Sequence, residues 1–299
     1  MSRDNIRKYQ YSYRHDELLP KFEHSVSLLC WAYNEELLIE DFLIRINTIL
    51  EKAVHDYEIV VIDDCSVDGT NHIVKNLQKR IPQIKLYRNN KNMNVGYSCR
   101  RAIRMATKDY LFWQTIDWSY NIALLRTFLE LLTRFDVVAG VRRSPVKIKN
   151  RFAKPIAGIL KLYGIKHLTK RSDTISKAVV SVINYSLIRV LFNLPLSDYQ
   201  NVVFYPTGLV QSLTFEANSS FLNPELLIKA YWNGASIVEV PISFISRQAG
   251  EAKGTRLKAI LTSICDIFKL WFRWVILDKH EIIRKGKITR LNPDEWEAL

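Results

Sequence analysis

Cysteine is scarce in this 299-residue chain, and the four present (Cys30, Cys65, Cys99 and Cys265) form no CxxC pair. That excludes a zinc ribbon or a disulfide framework, and Cys30 and Cys65, in or beside apolar strands, read as buried reduced thiols. Long apolar runs are also missing. Nowhere do about 18 apolar residues follow one another, the least that a membrane-crossing helix needs. The charged N-terminus, MSRDNIRKYQYSYRHDELLPKFEHS, has no apolar centre and is not a signal peptide. The protein is therefore expected on the cytoplasmic side. The six histidines (His15, His24, His55, His72, His167 and His280) lie in none of the loops that carry chemistry below, so no histidine base is expected. No internal repeat or low-complexity tract occurs.

What is present is an unevenly placed positive charge. Hydrophobic content of 48% and charged content of 24% suit a folded globular chain, but the net charge is +13. Arg142, Arg143, Lys147, Lys149, Arg151, Lys154, Lys161, Lys166, Lys170 and Arg171 follow one another without a single acid among them. Such a patch seeks a polyanion. Apolar residues interleave the cations (Ile156, Ile159, Leu160, Leu162, Tyr163, Ile165, Leu168), and no nucleic-acid module is recognisable. An anionic membrane surface is expected as the partner, and nucleic acid is not.

The chain is organised around EIVVIDDCSVDGT, residues 58–70. A β-branched apolar run of strand length ends in a carboxylate-rich turn that feeds a helix. Open α/β sheets bind ligands outside the carboxyl ends of such strands. Asp63, Asp64 and Asp68 thus either bind a ligand or cap the next helix. Further strands are expected at 26–30, 84–87, 110–113 and 136–140, with helices between them at 36–53, 71–80, 98–107 and 122–133. That alternation predicts a doubly wound, mostly parallel α/β sheet. Residues 237–244 are expected as a late edge strand, which Pro241 suits. Another helix is expected from about Thr174 to Phe192. Residues 256–277 have the pattern of an amphipathic helix, with Leu257, Ile260, Leu261, Ile264, Ile267, Phe268, Trp271, Trp274 and Val275 on one face.

Five pieces in order, VSLLCWAYNEE (26–36), EIVVIDDCSVDGT (58–70), NVGYSCRRAIRMATKDYLFW (94–113), QTIDWSYN (114–121) and GASIVEVPISFISRQAGEAKGTR (234–256), resemble the family-2 glycosyltransferases of GT-A fold. The last resembles the ending of the enzymes that glycosylate polyprenyl or dolichyl phosphate. The resemblance covers about residues 25–256. It implies an N-terminal arm at 1–24, a GT-A domain at 25–256 with a basic acceptor-side or membrane-facing insertion at 142–176, and an interfacial helix and polar tail at 257–299.

The resemblance also implies site roles. Tyr33 packs on the nucleotide base and Asp64 accepts a bond from the base N–H. Asp63 supports them near the ribose or phosphates, while Asp68 stays a turn and cap residue. Asn34 and Glu35 shape the same loop, although Glu35 also reads as a first-turn acid. One of Arg100 and Arg101 reaches the nucleotide and the other is solvated. Family members carry an Asp-X-Asp metal motif where this chain has Thr115-Ile116-Asp117, so Asp117 alone, with diphosphate oxygens, is the expected holder of Mg²⁺ or Mn²⁺. Asp198 faces acceptor or sugar, or is a loop acid. Glu225 lies near the sugar, or is a helix-start acid after Pro224. Arg247 and Lys253, around a Gly250 turn, suit a diphosphate or lipid phosphate; Phe204 stands where the family has a phosphate-binding cation.

The expected reaction is inverting transfer from a UDP- or GDP-linked sugar to a polyprenyl-phosphate acceptor. The alternatives are transfer to a glycan or lipid-linked sugar hydroxyl, or a weakened relative that only binds nucleotide-sugar or scaffolds a complex. Trp271, Phe272 and Trp274, beside Lys269 and Arg273, suit an interfacial helix; packing of its apolar face on the protein's own sheet is the alternative. Membrane binding is expected either directly, as a monotopic protein, or through a membrane-protein partner.

Overall fold

The computed structural model describes residues 19–143, 184–217, 219–243, 257–277 and 285–291. Its frame is an eight-stranded sheet in the order β3-β2-β1-β4-β6-β5-β7-β8. The strands are β1 (Val26–Ala32), β2 (Tyr57–Asp63), β3 (Ile84–Arg88), β4 (Tyr110–Trp113), β5 (Val137–Arg143), β6 (Val203–Pro206), β7 (Ser236–Ser243) and β8 (Lys287–Arg290). Only β6 runs antiparallel to its neighbours, β4 and β5. The other pairings are parallel.

Alternation along the strands supplies two apolar faces. Leu28, Cys30, Ile59 and Val61 face α1 (Ile39–Ala53), α2 (Thr70–Gln78) and α4 (Leu125–Leu131). Their neighbours Leu29, Val60 and Ile62 face α3 (Asn94–Met105), α6 (Leu222–Trp232) and α7 (Leu257–Trp271). A short α5 (Thr207–Ser212) links β6 to the rest. The result is the expected three-layer α/β fold.

Several boundaries differ from expectation. Helix α1 begins at Ile39 rather than Glu36, because the Glu36 side chain accepts the Gly69 N–H (2.8 Å) and ties the preceding turn to the next loop. Strand β7 is internal, not an edge: β8 pairs with Ser236–Glu239. Pro241 lies beyond that pairing, so its missing N–H breaks no ladder bond there. Strand β8 falls in the tail read as polar; its four residues carry too little apolar pattern to be noticed. Strand β6 was likewise missed. The helix expected over 174–192 is helical at 184–191, and its earlier part lies outside the described residues. All four cysteines are free, and burial pushes the Cys30 thiol up to about 12. Cys65 is half-buried rather than buried.

The sheet order places the site. Strand β1 is flanked by β2 on one side and β4 on the other, so a crevice opens between the carboxyl ends of β1 and β4. Tyr33 follows β1 and the 114–121 loop follows β4.

Candidate active site

Four of the five non-glycine residues with positive φ among the described residues sit in loops at this end of the sheet: Asn34 (53°), Cys65 (65°), Asn94 (66°) and Trp118 (55°). Such a conformation costs free energy for a side-chain-bearing residue and persists only where its surroundings fix it. The hydrogen bonds that fix these loops are explicit. Asn34 donates its N–H to Ser66 Oγ (3.0 Å) and accepts the Val67 N–H at Oδ1 (3.0 Å). Glu35 donates its N–H to Thr70 Oγ1 (2.9 Å). The loop after β1 is thereby laced to the turn after β2. Tyr33 projects from it beside the crevice, 37% exposed.

The three aspartates of the turn divide their work. Asp68 is a turn residue, as expected: its carboxylate takes the N–H and hydroxyl of Thr70 (3.0 and 2.6 Å) and the N–H of Glu36 (3.2 Å). Burial works against its charge, but these bonds prevail and hold the carboxyl below its ordinary value. Asp63 lies beneath the turn and is fully buried. It accepts from Ser66 N–H and Asn71 Nδ2 (both 2.8 Å) and pairs with Arg88 Nε at 3.3 Å. Asp64 is buried and takes Asn89 Nδ2 (2.6 Å) and Met93 N–H (2.8 Å) on Oδ1, and Asn94 N–H (2.9 Å) on Oδ2. Of the roughly four acceptor positions of a carboxylate, three are used, which leaves one for a base N–H.

Asn89 is the residue that sequence reasoning missed. Its amide bridges Asp64 and Ser98 (3.0 Å), and its Oδ1 accepts from Arg101 Nη1 (2.6 Å). The signal for it was slight, an asparagine at a strand exit. Arg101 also donates to the Arg88 carbonyl (2.7 Å), and Arg100 to the Ala217 carbonyl (2.7 Å). Both arginines are half-buried and hold backbone loops, so neither is the solvated side chain expected of one of them.

The loop after β4 is a turn closed on itself. Buried Gln114 donates through Nε2 to the Tyr120 carbonyl (2.8 Å), while its Oε1 accepts the N–H of Thr115 (2.9 Å) and of Tyr120 (3.3 Å). Asp117 Oδ1 accepts the Ser119 hydroxyl (2.5 Å) and N–H (3.2 Å), and Thr115 Oγ1 accepts the same N–H (2.9 Å). Trp118 is seated between Phe42 and the Arg45 guanidinium, 4.8 Å above its ring. The described residues contain no group of three or more His, Cys, Asp or Glu placed to hold a metal. Asp117 is a single carboxylate, and one carboxylate is a donor set that does not by itself fit a resident Mg²⁺ or Mn²⁺. An ion here would take its other ligands from water and from a diphosphate.

Across the sheet, Asp198 is half-buried in its loop and accepts the Gln200 N–H (3.1 Å). Glu239 holds that loop through Ser197, accepting its N–H (2.5 Å) and hydroxyl (2.9 Å) while pairing with Arg290 Nε (2.9 Å). Glu225 is fully buried. It accepts the N–H of Glu216 (2.9 Å) and of Ala217 (2.8 Å) and pairs with Lys229 at 2.8 Å. That makes it a loop anchor in the first turn of α6, the helix-start acid of the alternative, with its carboxylate buried rather than open to a sugar. Trp274 closes the same cluster: its Nε1 donates to Glu216 Oε1 (2.8 Å), and Lys229 Nζ lies 4.3 Å over its ring. Arg247 and Lys253 lie outside the described residues, as does the basic run after Arg143.

Comparison with known proteins agrees with the fold. The family model described as glycosyl transferase family 2 matches residues 27–192. A dolichol-phosphate mannosyltransferase from Pyrococcus furiosus is 24% identical over 250 residues, 83% of this chain and 64% of that protein. The chain thus spans under two thirds of that relative's length. Among solved structures, glucosyl-3-phosphoglycerate synthase from Mycobacterium tuberculosis, with Mn²⁺, UDP and glucosyl-3-phosphoglycerate, superposes with a TM-score of 0.55 at 14% identity. That match covers 83% of this chain and 80% of the other. The mannosyltransferase PcManGT from Pyrobaculum calidifontis, with GDP-Man and Mn²⁺, gives 0.54 at 15% identity over 92% and 77%. These neighbours have the GT-A fold expected from the sequence. The family match covers more than half of the chain; the protein belongs to glycosyl transferase family 2.

Proposed function

We propose that this chain moves a sugar, with inversion, from a UDP- or GDP-linked donor to a polyprenyl-phosphate acceptor, working as a peripheral protein on the cytoplasmic face of a membrane. The observation that carries the reading is the alignment with a dolichol-phosphate mannosyltransferase along 83% of the chain. The crevice between β1 and β4 supports a nucleotide there, with Tyr33 against the base and the remaining Asp64 acceptor toward its N–H.

In this reaction an acceptor phosphate oxygen attacks the anomeric carbon as the bond to the diphosphate oxygen breaks. The lipid phosphate gains the sugar and the nucleoside diphosphate leaves. The protein contributes alignment and charge at the departing diphosphate. Arg247 and Lys253 are the cations assigned to that charge, and no step is routed through a metal. A phosphate acceptor arrives ionised and needs no general base, whereas a hydroxyl acceptor does. The burial of Glu225 in its pair with Lys229 favours the first, because it removes one of two candidate bases. Asp198 is then left to orient acceptor or sugar.

The test is a panel of labelled sugar nucleotides incubated with and without polyprenyl phosphate. Release of UDP or GDP that depends on the lipid phosphate supports the reading. Transfer to a glycan hydroxyl instead, or to nothing, overturns it.

A further inference from the structure

The amphipathic helix expected over 256–277 is not a single uniform face. It is α-helical over Leu257–Trp271 and then widens to a π-helical turn over Phe272–Leu277. Ile267, Leu270 and Trp274 turn inward, and Trp274 packs fully buried against Phe192, Phe221 and Trp232. Phe268, Phe272, Val275, Ile276 and Leu277 turn outward, each between 39% and 64% exposed. For Trp274 the alternative expectation, packing on the protein itself, is the one the structure shows: it is the pin that fixes the helix.

Phe268, Phe272 and Ile276 recur at i, i+4 and i+8, and so form a stripe along one side. Exposed Lys269 and Arg273, one position behind the two phenylalanines, run along its flank. Arg273 also pairs with Glu216 at 2.6 Å while 55% of its side chain stays open. Large apolar residues singly exposed need no explanation, but five within ten residues do. No described helix is long and apolar enough to cross a membrane.

We infer that this stripe is the surface through which the protein docks on an anionic lipid bilayer. The apolar side chains enter the headgroup boundary and Lys269 and Arg273 meet acidic headgroups, in a chain whose net charge is +13. The pin sets which side of the helix faces outward: Trp274 Nε1 on Glu216, and Ser219 N–H on Asp266 (3.1 Å), tie the helix to the loop before α6. The inference deepens the proposed function, which requires a membrane-facing side, but its test uses neither donor nor acceptor.

The full chain is sedimented with phosphatidylglycerol–phosphatidylcholine vesicles and with pure phosphatidylcholine vesicles, alongside Phe272→Glu, Ile276→Ser and Lys269→Glu. Binding to the anionic vesicles is expected. It should fall at least about tenfold in Phe272→Glu, which places a charge in the boundary. Lys269→Glu should lower it by about fivefold or more, chiefly on anionic vesicles. Unchanged melting curves check that these exposed substitutions leave the fold intact. Absence of vesicle binding overturns the inference, as does binding indifferent to Phe272→Glu. A dimer in sedimentation velocity that Phe272→Glu dissolves also overturns it, since the stripe would then face a second copy. Vesicle binding without lipid-dependent transfer leaves the docking surface standing and sinks the acceptor reading alone.

Discussion

The two halves of the sheet hold their loops in different ways. On the β1–β4 side, short polar side chains at strand exits bond to backbone N–H groups of neighbouring loops, and the strained positions Asn34, Cys65, Asn94 and Trp118 cluster there. On the β5–β8 side, buried carboxylates in ion pairs do the holding: Glu225 with the buried Lys229, and Glu239 with the exposed Arg290. The contrast teaches that carboxylates at the mouth of this fold are not equivalent. Some shape the crevice between β1 and β4, and others are internal struts of the opposite wall.

The sharpest way to break that contrast is to remove one strut. Lys229→Met leaves the buried Glu225 charge unpaired, and a loss of about 3–5 kcal/mol in denaturant unfolding is expected. Adding Glu225→Gln should recover much of it. Glu225→Gln alone should keep turnover within a few fold, whereas loss of a general base costs roughly 10²–10⁴; a fall of that size with unchanged stability would return Glu225 to the chemistry. Asp64→Ala comes next. It strips acceptors from Asn89, Met93 and Asn94, at about 1–3 kcal/mol for each donor left unsatisfied. Nucleotide binding should disappear by calorimetry, and undiminished affinity would contradict the crevice assignment. A smaller effect is expected at Asp117: nucleotide affinity should depend only weakly on Mn²⁺, and Asp117→Asn should remove that dependence. A strong Mn²⁺ requirement surviving the substitution would place the metal elsewhere.

The smallest effect concerns pH. Burial raises the Glu239 carboxyl above its ordinary 4.5, against the bonds from Ser197 and Arg290. A raised folded value means that the folded state keeps its proton longer than the unfolded one. The contribution is therefore most favourable below about 4.5 and is lost as pH rises through the folded value. Unfolding followed across that window should show the wild type losing stability relative to Glu239→Gln as pH rises; the opposite slope would mean that the Arg290 pair outweighs burial.

Much of the β1–β4 half was legible in the chain, because each strand-and-turn unit is contiguous and its turn residues announce themselves. EIVVIDDCSVDGT supplies both the apolar strand and the Asp68–Thr70 turn within thirteen residues. The other half was not. Trp274 and Glu216 meet across 58 residues, and Arg290 and Glu239 across 51, so no local pattern reveals them. Asp63 and Asp64 were legible as important residues but not as loop holders, since their partners Asn71, Arg88 and Asn89 lie one turn or one strand away. Periodicity showed which residues of the last helix are apolar but not which of them the protein itself would cover.

The central claim is transfer of sugar from a nucleotide to a lipid phosphate, and the most direct measurement is nucleoside-diphosphate release with purified protein. The account predicts that UDP or GDP appears from one donor of the panel only when polyprenyl phosphate is added, with labelled sugar recovered on the lipid. Release that needs a glycan hydroxyl, or no release with any donor, would contradict it.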